Sequence, residues 1–129
     1  MIGFERIYKI FEEQNLVDDL VFIGSGRLGL PERAVRAYAL GVDMINVARE
    51  SMLSIGCIQS QKCHTGYCPT GVATSNHWLN RGLDIERNSD RCANYLIEMR
   101  KQIASLSYAC GLSHPSEFTL DNIEIINQK

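Results

Sequence analysis

The sequence predicts an α/β chain built on a short parallel sheet. Three observations carry that reading: helical periodicity alternates with short apolar runs, each run stops at a turn-forming cluster, and only two runs qualify as strands. The opening stretch, Phe4 to Asn15, sets Phe4, Ile7, Tyr8, Ile10 and Phe11 at helical intervals and predicts a helix. After the turn at Asp18-Asp19, the run Leu20-Val21-Phe22-Ile23 stops at Gly24-Ser25-Gly26 and predicts a buried parallel strand. Pro31 suits a first helical position, and the next helix runs to about Leu40, where Gly41 ends it. Asp43 to Ala48 reads as a second strand, and a further helix starts near Glu50. This αβαβα order implies right-handed crossovers. Two parallel strands alone leave both edges and much apolar surface open to water, so the expected whole is a larger barrel or a sheet that a partner completes.

From Ser89 to Ala109 the pattern becomes one long amphipathic helix, with Cys92, Leu96, Met99, Ile103, Leu106 and Cys110 recurring every three or four residues. Gly111 supplies its stop. Cys92 and Cys110 sit on the apolar stripe and are expected as buried core cysteines. The tail beyond His114-Pro115 is turn-rich, with one weak strand expected near Ile123 to Ile126.

Composition bounds the function. With 129 residues, 45% hydrophobic and 22% charged, the chain is globular rather than disordered. Its net charge of −2 comes from signs mixed along the sequence, which favours neither nucleic acid nor an anionic membrane as partner. No apolar run nears the roughly 20 residues that span a bilayer, and Glu5 stands where a secretory signal would be basic, so a cytoplasmic location is expected.

Five cysteines fall into two populations: Cys57, Cys63 and Cys68 lie within twelve residues, while Cys92 and Cys110 stand apart. An odd count with one dense cluster fits a metal site in a reducing compartment better than a disulfide scaffold. The spacing of five and then four residues can wrap a loop around one iron–sulfur cluster, because soft thiolates suit iron, and Pro69 directly after Cys68 also occurs in ferredoxin motifs. Three local thiols suggest a three-iron cluster. Zinc is the chemical competitor, with His64 as fourth ligand, although adjacent residues such as Cys63 and His64 seldom point at one small ion. Three unliganded loop thiols are the remaining alternative.

Gly24-Ser25-Gly26-Arg27-Leu28-Gly29 matches a dinucleotide-binding glycine pattern after a strand and before a helix. That reading loses ground because Asp43 stands at the start of the second strand rather than its end, and Pro31 starts the helix after the last glycine. A phosphate cradle at the top of a (β/α)8 barrel accounts better for the loop. There Gly26 permits close approach, Ser25 adds a hydroxyl and Arg27 a cation, while Val47-Ala48-Arg49 close the other side. A plain tight turn is the alternative for the glycines, and a surface salt bridge for Arg49.

The residues so far resemble the FMN-binding domain of glutamate synthases, especially stand-alone glutamate synthase-like proteins without a glutaminase domain. The likeness rests on Gly24-Ser25-Gly26-Arg27, Arg33-Ala34-Val35 through Ala39-Leu40-Gly41, and Asn46-Val47-Ala48-Arg49. It rests above all on Gly56-Cys57-Ile58-Gln59 with Cys63-His64-Thr65, Cys68-Pro69 and Gly71-Val72-Ala73-Thr74. The resemblance implies the last two strands and their helices of a (β/α)8 TIM barrel over residues 1–56, an iron–sulfur loop over 57–79 and a C-terminal helical extension over 80–129. It implies FMN phosphate over Gly26 and Ala48, and a 3Fe-4S cluster ligated by Cys57, Cys63 and Cys68. It further implies an electron donor, either ferredoxin or a nicotinamide-dependent reductase subunit, whose electrons pass through the cluster to FMN for reduction of 2-iminoglutarate to L-glutamate. The first six strands would come from the remainder of the barrel in cis or in trans, leaving this chain alone incomplete for catalysis. The competing expectation is a truncated, inactive module whose cluster or zinc site serves partner docking.

Overall fold

The computed structural model describes residues 2–124. It divides into two compact units, one made of the first 47 residues with the chain from Met99 onward, the other of Ala48–Glu98. In the first unit, helix α1 (Ile2–Glu13) leads to strand β1 (Ile23–Ser25), helix α2 (Pro31–Ala39) and strand β2 (Met44–Asn46). The strands pair in parallel, with Ile23 opposite Met44, Gly24 opposite Ile45 and Ser25 opposite Asn46. The β–α–β order read from the sequence is therefore present, as is a two-stranded sheet.

One face of that sheet is covered. Leu28, Ala37 and Val42 form a buried cluster, with Phe4 of α1 and Ile45 of β2 packed against it. Alpha-1 adds an aromatic seam, in which the rings of Tyr8 and Phe11 lie 5.5 and 5.6 Å from that of Phe22. Gly41 ends α2 and gives Tyr8 its room, since a Cβ there would sit 2.2 Å from the ring. The turns Pro115–Glu117 and Leu120–Asn122 pack on α2, and Phe118 between them is buried.

Among the described residues the other face is bare, which corrects the expectation of a strand buried on both sides. Ile23 and Met44 are each 57% exposed, and Leu20 and Val21 are exposed as well. The strand also starts three residues later than the apolar run suggests. The Phe22 amide is taken by the Asp43 carboxylate at 2.7 Å, while the Phe22 carbonyl accepts the amides of Asp43 and Met44. A side chain thus replaces the ladder at the point where the run would have begun pairing.

In the second unit, α3 (Arg49–Ser54) is followed by the cysteine loop, the short helix α4 (His77–Asn80) and the first part of α5 (Ile85–Ala109). Alpha-5 begins four residues before Ser89 because Asp84 caps it, its Oδ1 accepting the Arg87 amide at 3.0 Å. The stripe along α5 is buried at Met99 and Ile103, whereas Leu96 and Leu106 are partly exposed. Cys110 is exposed and Cys92 only half-buried, so neither is the fully buried core cysteine expected. Ile123 and Glu124 form no strand, and the rest of the stretch expected as a weak strand lies outside the described residues. Among the described residues no helix is long and apolar enough to cross a membrane.

Candidate functional site

Both candidate loops follow the C-terminal ends of the parallel strands. Ser25 and Asn46 are the last paired residues, so Gly26-Arg27 and Val47 leave the same edge of the sheet. Ser25, Gly26 and Arg27 form an exposed crest held between buried Gly24 and buried Leu28-Gly29. Gly26 has φ +131°, and a Cβ there would meet nothing within 4 Å, so the backbone is strained for other residues yet open on its outer side. Arg27 follows at φ +59°, and Arg33 of α2 reaches back to its carbonyl at 3.5 Å. Val47 is half-buried, and Ala48 and Arg49 are exposed at the start of α3 in the second unit.

The cysteine loop is built from turns. Gly56, at φ +102°, ends α3 with the Gly56 amide on the Leu53 carbonyl and the Cys57 amide on the Met52 carbonyl. This double turn fixes where Cys57 leaves the helix. Its sulfur accepts the Gln59 amide at 3.4 Å. Cys63 is exposed at the head of the turn Cys63–Thr65. Two threonines tie the loop internally: Thr65 Oγ1 donates to the Lys62 carbonyl at 2.8 Å, and Thr74 Oγ1 donates to the Gly66 carbonyl.

Cys68 is the most organised of the three. It is buried, opens the turn closed by the Gly71 amide on its own carbonyl, and lies 3.4 Å from the Thr70 hydroxyl. That hydroxyl, joined by the amides of Ala73, Thr70 and Val72, draws the thiol down to about 7 against the opposing effect of burial. Thr70 was not singled out from the sequence, although a Cys-Pro-Thr-Gly turn carries the signal, because its third residue can turn a hydroxyl back on the first. No three His, Cys, Asp or Glu side chains among the described residues gather closely enough to hold a metal ion. The Cys57 sulfur accepts one backbone amide and the Cys68 sulfur faces a hydroxyl, but the loop is not drawn together around one point.

A model of the conserved region in glutamate synthase matches residues 1–113. The chain belongs to the glutamate synthase family. Among curated relatives, the glutamate synthase large subunit-like protein YerD of Bacillus subtilis is 36% identical over 114 residues, covering 88% of this chain and 22% of that protein. The archaeal glutamate synthase (NADPH) of Methanocaldococcus jannaschii is 31% identical over 101 residues, 78% of this chain and 20% of its own length. The ferredoxin-dependent glutamate synthase of Cyanidium caldarium is 28% identical over 116 residues, 90% of this chain and 7% of its own. The chain thus spans about a fifth of the length of the first two of these relatives. The family region takes in both strands, the glycine crest and all three loop cysteines.

Proposed function

We propose that this chain is the C-terminal βα part of an FMN-dependent, iron–sulfur glutamate synthase-like oxidoreductase acting in glutamate biosynthesis. In this reading Cys57, Cys63 and Cys68 hold a 3Fe-4S cluster, and Ser25-Gly26-Arg27 with Val47-Ala48-Arg49 hold the FMN phosphate. The observation that carries it is Cys68: a buried sulfur facing a hydroxyl and several amides, inside the segment matched to the family. Such donors stabilise a thiolate and offset the negative charge that sulfur ligands bring to iron.

When bound, cluster and flavin supply one-electron relay and hydride chemistry, here for the reduction of 2-iminoglutarate to L-glutamate. The chain's own residues supply binding and orientation. The open outer side of Gly26 admits a phosphate oxygen to the backbone, Ser25 offers a hydroxyl, and Arg27 and Arg49 offer charge. The rest of the barrel is supplied in cis or in trans. The electron donor is a ferredoxin or a nicotinamide-dependent reductase, a choice supported by relatives whose names specify ferredoxin in one case and NADPH in another.

Anaerobic purification of the chain tests this directly. Iron and acid-labile sulfide are expected at about three and four per chain, and both are lost in Cys57→Ser, Cys63→Ser and Cys68→Ser. Zinc without sulfide overturns the proposal.

A further inference from the structure

We infer that Arg33 of α2 is a positioning residue of the glycine crest, an inference that rests on the phosphate reading above. Arg33 holds the Arg27 peptide so that the Leu28 amide faces away from α2, and it brings a further cation to the phosphate. The need for such a residue starts at Arg27, which stands at φ +59°. A residue with a Cβ enters that left-handed region at a cost and stays there only where its surroundings hold it. Gly26 before it gives no hold, because glycine tolerates many conformations and its outer side meets nothing within 4 Å. The restraint comes from the other side. Leu28 is 2% exposed and anchors the chain in the cluster with Ala37 and Val42. Arg33 then reaches back from the first turn of α2, its Nη1 donating to the Arg27 carbonyl at 3.5 Å. The contact is long, and its strength comes from the guanidinium charge.

In a trans peptide the carbonyl and the following amide point in opposite directions. Drawing the Arg27 carbonyl toward Arg33 therefore turns the Leu28 amide the other way. Among the described residues that amide meets no acceptor, whereas the amides of Arg33 and Ala34 are both taken by the Leu30 carbonyl. An amide left without a partner is a donor for a ligand oxygen. The charges agree with this. Arg27 and Arg33 are both exposed, and neither pairs with a carboxylate among the described residues. Glu32 does not share the face of Arg33, because successive helical residues point in different directions. Arg33 spends one of its five donors on the crest, and the others are left for an anion. Two uncompensated cations, a free amide and the Ser25 hydroxyl on one short loop suit a phosphate monoester better than a neutral group.

The test follows the amide resonances of the full, isotope-labelled chain during titration with inorganic phosphate. Phosphate is expected to shift the amides of Gly26 and Leu28. Arg33→Met keeps the aliphatic stem and removes the donors, and is expected to weaken that titration about fivefold or more. It is also expected to abolish the strong intraresidue Overhauser effect between amide and Hα protons that marks a left-handed Arg27. Arg6→Met takes the same charge from another exposed arginine, on α1, and is expected to change neither readout. Arg33 is exposed, so the core is untouched, and unshifted resonances along α5 verify the fold of each variant. Retention of the Overhauser effect in Arg33→Met, an unchanged phosphate titration, or equal weakening by Arg6→Met overturns the role of Arg33. If phosphate moves the crest amides of the parent chain and Arg33→Met alters nothing, only this inference fails. If phosphate moves no crest amide in the parent, the phosphate reading fails and the role of Arg33 falls with it.

Discussion

Cys68 differs from Cys57 and Cys63 in that its sulfur is buried and faces a side-chain hydroxyl. Thr70 lies 3.4 Å away, and the hydroxyl with the neighbouring amides holds the thiol near 7. A hydroxyl that donates to sulfur favours the charged form, so its removal must raise the pKa, while the backbone donors of Ala73, Thr70 and Val72 keep part of the shift. In the metal-free chain, Thr70→Val is therefore expected to move the pH at which Cys68 reaches half its maximal alkylation rate above about 7, and Thr70→Ser to leave it near the parent value. Site-resolved mass spectrometry after timed alkylation reads this. An unchanged Thr70→Val profile removes the hydroxyl from the account. The three cysteines were legible from spacing alone, whereas Thr70 was not, because its role depends on a turn geometry that spacing does not specify.

Helix ends carry most of what could be read from the sequence at the scale of elements. Gly41 and Gly111 mark the ends of α2 and α5 as expected, and both use the double turn that also releases Cys57 from α3: the Val42 amide bonds to the Ala37 carbonyl and the Leu112 amide to the Ser107 carbonyl. Helix starts were less legible. The apolar repeat of α5 begins with Cys92, so periodicity could not find a first turn made of Ile85, Glu86 and Arg87, of which Ile85 is 76% exposed. Asp84 determines that turn through the Arg87 and Asn88 amides, bound by its side chain and its carbonyl respectively. Asp84→Ala removes the side-chain acceptor and is expected to cost about 1 kcal/mol, with Asp84→Ser recovering most of it; urea denaturation measures both. The strands were legible in number but not in place, since the Asp43 carboxylate occupies the Phe22 amide and delays pairing.

At the scale of the whole molecule, the described residues cover the sheet on one side only. Parallel strands normally have both faces covered, yet Gly24 and Ile45 face the core while Ile23 and Met44 face solvent. The chain spans about a fifth of the length of the first two relatives it matches, and the barrel proposed above would set further strands and helices against that second face. The two faces should then respond oppositely to substitution. Leu28, 2% exposed, belongs to the buried cluster, so Leu28→Ala creates a cavity and is expected to cost about 2–5 kcal/mol. Ile23→Thr and Met44→Thr remove apolar surface that packs against little, and each is expected to change stability by less than about 0.5 kcal/mol. They should also reduce binding of a fluorescent hydrophobic dye, because they take apolar area from an exposed patch. Urea midpoints and dye titrations on the three variants separate the cases: if Ile23→Thr costs as much as Leu28→Ala, the Ile23–Met44 face is packed within this chain and the unfinished sheet is wrong.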